Sequence, residues 1–165
     1  MSFIETERLL IRKWMPNDVD SALAIYGDPE VMHFIPIGAL DRDGVARLIG
    51  RFMEEDERSG FGLWPVLEKS NGRLIAECGL HTIPETGEVE IAWLFARDAW
   101  GKGYATEAGR AVLEFGLREV GLAKIVCLID RENARSIAVA NKLRFRYDRI
   151  GRYYHRDLMK YEKRP

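Results

Sequence analysis

Apolar and polar positions follow two different rhythms along this chain, and each change of rhythm marks an element. Leu9-Leu10-Ile11-Arg12-Lys13-Trp14 reads as a strand, and Pro16-Asn17-Asp18 then supplies a turn and cap for a helix carrying Ala22, Ile25 and Tyr26. Gly27-Asp28-Pro29 ends it. A second helix starts at an Asp41 cap and aligns Val45, Leu48, Ile49 and Phe52 on one stripe; the acidic run Glu54-Glu55-Asp56-Glu57 behind them reads as a solvated face. From Phe61 the period shortens. Phe61 to Leu67, Leu74 to Thr82 and Glu88 to Phe95 are strand-like, and turns at Ser70-Asn71-Gly72 and Pro84-Glu85-Thr86-Gly87 join them into an antiparallel meander. After Gly101-Lys102-Gly103 the spacing of Ala108, Val112 and Phe115 is helical, and the strand Lys124 to Ile129 completes a parallel crossover. Asn133 caps a helix through Ile137, Ala140 and Leu143, and strand-like stretches Phe145 to Ile150 and Tyr153 to Tyr161 follow. The pattern predicts an α/β fold: a mixed, mostly antiparallel sheet of six or seven strands with about four helices.

Composition narrows what such a fold can be. The 165 residues, 47% of them hydrophobic, suit one domain over residues 1–165, since a domain takes about 150 residues. Twenty-five basic residues against 26 acidic ones leave a net charge of -1, which argues against a dedicated nucleic-acid or membrane-surface protein. The longest apolar run, Ile91 to Ala96, is far short of the roughly 20 residues a membrane helix needs. The opening octet Met1 to Arg8 carries two acids where an export signal would be basic and apolar. Cys78 and Cys127 lie in apolar strand segments with no CxxC or Cys/His spacing and read as buried, reduced thiols, so a cytoplasmic location and no metal are expected.

Trp100-Gly101-Lys102-Gly103-Tyr104-Ala105-Thr106 is the sharpest local feature. Two glycines between an apolar strand and an amphipathic helix allow a tight turn, and the helix start offers free amides and a positive dipole end to an anion such as a pyrophosphate. A P-loop would put the lysine after the second glycine, and a dinucleotide fold would put this motif in its first strand-helix unit, so both fit poorly.

Taken in order, the segments resemble a known family. Thr6-Glu7-Arg8-Leu9-Leu10-Ile11-Arg12, Asp28-Pro29-Glu30-Val31-Met32, Glu90-Ile91-Ala92-Trp93-Leu94, the Trp100 to Ala108 loop, and Asn133-Ala134-Arg135-Ser136 with Asn141-Lys142-Leu143-Arg144-Phe145 are similar to the GNAT superfamily of acyl-coenzyme A-dependent N-acetyltransferases, closest to its ribosomal-protein alanine N-acetyltransferase branch. The resemblance implies a V-shaped split between two central strands, with acetyl-CoA as acyl donor and an amine as acceptor, either a peptide N-terminus or a small molecule. The near-neutral charge and short apolar runs predict no direct nucleic-acid or membrane partner, and they allow a homodimer. The resemblance places the donor against Trp93, Leu94 and Phe95, on Trp100, Gly101, Lys102, Gly103, Tyr104, Ala105 and Thr106, and beside Asn133 and Ser136. Three departures stand out. Trp100 replaces the usual Gln or Arg, Arg144 replaces a glycine at a helix end and predicts a strained turn, and Ala140 occupies the slot of a tyrosine general acid.

Candidate catalytic groups follow from the chemistry. A protonated amine must lose a proton before it attacks a thioester, and Glu90, Glu88 and His81 are the candidate bases, with Glu90 preferred because it matches the family's strand glutamate. The resemblance makes Ser136, which shares a helix face with Asn133 and Ala140, the donor of a proton to the coenzyme A thiolate, with an ordinary first-turn serine as the alternative; Asn133 is a cap, a ligand of the pantetheine arm, or both. Trp14, Trp64 and Trp93 fall at strand positions and read as core, and the segments Phe34 to Asp43 and Tyr153 to Asp157 as borders of an acceptor groove. Loss of turnover with retained acyl-CoA binding is the alternative that Ala140 suggests, and the basic, aromatic Arg152 to Arg156 leaves an RNA-associated adaptor as a third.

Overall fold

In the computed structural model, which describes residues 3–165, every segment with strand periodicity joins one eight-stranded sheet, ordered β1-β2-β3-β4-β5-β6-β8-β7. The strands are β1 (Phe3–Glu5), β2 (Leu9–Arg12), β3 (Leu63–Glu68), β4 (Leu74–Thr82), β5 (Val89–Phe95), β6 (Ile125–Ile129), β7 (Arg146–Tyr153) and β8 (Arg156–Lys163). Seven overlap the expected segments, with one correction: the chain turns at Tyr154-His155, inside the stretch read as a strand from Tyr153 to Tyr161, so Tyr153 ends β7 and β8 starts at Arg156. The eighth, β1, has three residues, too few for alternation to register, and pairs with β2 through Ile4 opposite Ile11. Met1 and Ser2 of the opening octet lie outside the described residues.

Four helices cover the sheet: α1 (Val19–Tyr26), α2 (Arg42–Ser59), α3 (Tyr104–Glu114) and α4 (Ala134–Lys142). Ala22 and Ile25 of α1 and Val45 and Ile49 of α2 build one core with Trp14, whereas Ala108 and Val112 of α3 and Ala140 of α4 join Cys78, Leu80 and Ile91 in a second. The Asp41 side chain caps α2 by accepting from the Gly44 amide at 2.8 Å, as its spelling predicts. The acidic run at the far end of α2 is a correction, because Asp56 is buried: it accepts from the Trp64 indole at 2.9 Å and pairs with Lys13. An indole N–H inside an apolar wall needs an acceptor, and the last turn of α2 supplies one.

Two backbone features fix the centre of the sheet. A Cβ on Gly79 of β4 would sit 2.0 Å from the Gly62 carbonyl oxygen, so the close approach of these chains requires glycine. All neighbouring strands run antiparallel except β5 and β6, which α3 joins as a parallel pair in register at a single position, Glu90 opposite Val126. Past that point the strands part. The Leu128 amide, which would otherwise continue the ladder, donates to Glu90 Oε1 at 3.2 Å, so a side chain caps the apex of the split. At the end of α4, Arg144 has φ 60°, the left-handed turn expected from its place in a glycine slot.

Candidate active site

The split between β5 and β6 opens into two adjoining cavities. The first, of about 280 Å³, runs from the loop before α3 into the split. Trp93, Leu94 and Phe95 form its β5 wall, Trp100, Gly101, Gly103, Ala105 and Thr106 its loop wall, and Asn133 and Ser136 its α4 wall. Gly101 and Gly103 hold φ 73° and 80°, and nothing lies within 4 Å of the place a Gly101 Cβ would take, so the bare loop borders open space. The first-turn amides of α3, at Tyr104, Ala105 and Thr106, have no helical acceptor and stand at the cavity edge. This fits a pyrophosphate. Two loop residues behave differently from their neighbours. The Lys102 side chain is not part of the wall, and its carbonyl accepts from Arg8 at 2.9 Å; the Tyr104 phenol turns away to donate to Glu68. Trp100, in the slot expected to hold Gln or Arg, donates through its indole to the Phe95 carbonyl at 2.8 Å, and the Arg135 guanidinium stacks 3.5 Å from the centroid of its ring.

Asn133 and Ser136 serve local structure and face the cavity at once. Asn133 Oδ1 accepts from the Ser136 amide at 3.2 Å, which is the helix cap, and Ser136 Oγ accepts from the Trp93 indole at 3.3 Å. Trp93 is thus only partly core. Ala140, in the tyrosine slot, is fully buried and supplies no proton.

The second cavity, of about 350 Å³, shares Trp93, Leu94, Asn133 and Ser136 with the first, so the two meet along these residues. Phe34 to Ile37, Tyr154 and Arg156 border it, which places the expected groove segments there, though residues 38–43 take no part. At the apex of the split Glu90 is 6% exposed and accepts from Tyr154 Oη at 3.0 Å while its Oε2 lies 3.1 Å from His81 Nε2. His81 stands directly opposite Glu90 in the sheet. Burial pulls the His81 pKa down, but the hydrogen bond and charge of Glu90 outweigh it and the net shift is upward. Tyr154 is pushed up by burial and by the Glu90 charge, so its phenol stays protonated. Glu88, weighed with Glu90 as a base, is committed elsewhere: Lys124 at 2.5 Å and Lys160 at 2.8 Å overcome its desolvation and hold its carboxyl down at about 2.

Two acidic-site partners escaped sequence reasoning. Tyr154 sits with His155 in the two-residue turn between β7 and β8, at φ 51° and 60°, spelled without the Gly or Asn that usually marks such a turn. Glu77 lines the cavity from β4, accepts from Tyr26 of α1, and is pushed by burial up to about 7. A lone acid inside the apolar run Leu74 to Leu80 was its one signal.

Comparison with known proteins agrees with this geometry. The family model for the acetyltransferase (GNAT) domain matches residues 8–146. The chain belongs to the GNAT acetyltransferases. It is 30% identical to the uncharacterized N-acetyltransferase p20 of Bacillus licheniformis over 161 residues, 94% of this chain and 89% of that protein. A GNAT-family acetyltransferase structure from Bacillus anthracis superposes with a TM-score of 0.83 at 27% identity, covering 97% of this chain and 95% of that one. The fold also matches RimL, a ribosomal L7/L12 alpha-N-protein acetyltransferase in complex with coenzyme A, with a TM-score of 0.85 at 12% identity over 99% and 98% of the two chains. This GNAT chain is an acetyl-CoA-dependent acetyltransferase. No described helix is long and apolar enough to cross a membrane.

Proposed function

We propose that this GNAT enzyme transfers the acetyl group to a primary amine by direct attack, through a tetrahedral intermediate, at the junction of its two cavities. The observation that carries the proposal is that junction: Trp93, Leu94, Asn133 and Ser136 belong to both cavities, and Glu90, buried at the apex of the split, lines the second. The amides of Gly101 and of Gly103 to Thr106 hold the pyrophosphate of acetyl-CoA, whose thioester is the activated acyl group. Backbone groups of Trp93 to Phe95 hold the pantetheine arm alongside the Asn133 Nδ2, and the arm then leads the thioester inward toward Glu90. A backbone amide of β5 near Leu94 polarises the carbonyl.

In the transfer, the amine nitrogen adds to the thioester carbon to give the tetrahedral intermediate, and the carbon-sulfur bond then breaks as the carbonyl re-forms. The Glu90 and His81 pair takes the proton the amine must shed, and the Ser136 hydroxyl gives one to the departing thiolate and recovers it from solvent. Tyr154, protonated and bonded to Glu90, steadies the carboxylate. An acyl-enzyme is disfavoured, because burial and the Glu90 charge push the Cys127 thiol pKa far up and leave almost no thiolate. Measured consumption of acetyl-CoA across amines and amino-terminal peptides tests the reading. Turnover with a primary amine is expected, and turnover with none would overturn it.

A further inference from the structure

One acidic group in the acceptor cavity has no part in the transfer described above. Glu77 lies opposite Leu94 in the sheet, is 7% exposed, and accepts a single hydrogen bond, at Oε2 from the Tyr26 phenol. Among the described residues no donor reaches its Oε1. Because no enclosed side-chain polar atom among the described residues lacks a partner, that oxygen faces the cavity. Glu77 makes no ion pair within 4.0 Å among the described residues, the charge of His81 further along β4 offsets only part of the cost of its burial, and the walls beside it, Met32, Leu48, Phe52 and Leu63, are apolar. A buried carboxylate compensated only in part is costly, which favours either its neutral form or a cationic ligand.

The rest of the cavity points to the ligand. His81 is four residues from Glu77 on β4, hence on the same face, and Glu90 stands opposite His81, so two carboxyl stations flank one cavity roughly 13 Å apart at Cα, from a rise of about 3.3 Å per residue. Arg156, the arginine in the wall, is already held by Asp130 at 2.5 Å. Acid at both ends with an apolar stretch between them matches a molecule with two ammonium groups joined by methylenes.

We propose that Glu77 anchors a second cationic group of the acceptor, so that the preferred substrates are aliphatic diamines and polyamines with the reacting amine at Glu90 and the far ammonium at Glu77. The proposal rests on the amine-acetylation reading above. Tyr26 is the positioning residue that aims the carboxyl.

The test compares hexylamine with hexamethylenediamine on the purified enzyme. The diamine is expected to show a higher kcat/KM by on the order of 10- to 100-fold, carried by KM, and Glu77→Gln to bring the ratio close to one. Equal values in the wild type, or a ratio that survives in E77Q, would overturn the anchor while leaving amine acetylation intact. Should E77Q fail to fold, Glu77→Asp retracts the charge by one methylene, and a shift of the best substrate to a longer diamine is the supporting result; an unmoved optimum overturns the proposal. If no amine is acetylated, the transfer reading falls instead, and calorimetry of hexamethylenediamine alone decides the anchor: binding weakened by E77Q supports it, and no binding overturns it.

Discussion

Ser136 occupies a position where two roles meet, and a substitution separates them. Its amide belongs to the α4 cap, while its hydroxyl touches the Trp93 indole at the junction of the cavities. Ser136→Ala keeps the amide and removes only the hydroxyl. It is expected to lower kcat by on the order of 10- to 10,000-fold with acetyl-CoA affinity nearly unchanged, and an unchanged kcat measured with a good amine acceptor would return Ser136 to a purely local role. Glu77 makes a different prediction, about stability. Its carboxyl titrates at about 7 in the fold against 4.5 when exposed, so between those values the folded state holds a proton that the unfolded chain has released. The stability tied to the protonated form is therefore full below pH 4.5 and lost as pH rises toward 7. Glu77→Gln carries no such loss, and the stability of the variant relative to wild type should rise by about 3 kcal/mol between pH 4 and pH 8 in denaturant titrations.

At the scale of elements, the loop before α3 and the turn after α4 carry the most sequence-specific backbone. Gly103→Val should abolish acetyl-CoA binding by calorimetry while the circular dichroism spectrum holds, because a β-branched side chain at φ 80° distorts the turn that presents the first amides of α3. Arg144→Gly should do the reverse of harm. Relief of the left-handed strain at φ 60° is worth about 1 kcal/mol, or about 2–4 °C in Tm for a chain of this size. Both sites were legible in the sequence for one reason: glycine, present in the loop and missing at Arg144, reports backbone conformation directly. The helices and the seven longer strands were legible because burial on one side leaves a period. What remained hidden was set by sheet order. Tyr154 reaches Glu90 because β8 inserts beside β6, 64 residues from its partner, and Tyr26 meets Glu77 because α1 lies over β4. Neither contact leaves a local spacing to read. The burial of Asp56 has the same origin, because its partner is an indole on another element.

For the whole molecule, the parting of β5 and β6 makes both cavities, and Glu90 is where the scaffold and the chemistry meet. Its Oε1 takes the Leu128 amide at the apex and its Oε2 is shared by His81 and Tyr154. Glu90→Gln should therefore act on the pH profile more than on the fold: the amide oxygen still accepts from Leu128, while the proton acceptor is gone. In the wild type kcat/KM should rise with pH as the Glu90 and His81 pair gives up its proton, and the hydrogen bond that raises the His81 pKa should place that limb above the range of an ordinary histidine. Because the acceptor amine also titrates, the profile must be taken with two acceptors of different pKa. A limb that stays in place in the wild type for both and vanishes in E90Q assigns the base to Glu90. One that persists in E90Q and is removed by His81→Asn assigns it to His81. A limb that follows the acceptor in every variant would mean that the enzyme selects the neutral amine from solution, and would remove both residues from the proton transfer.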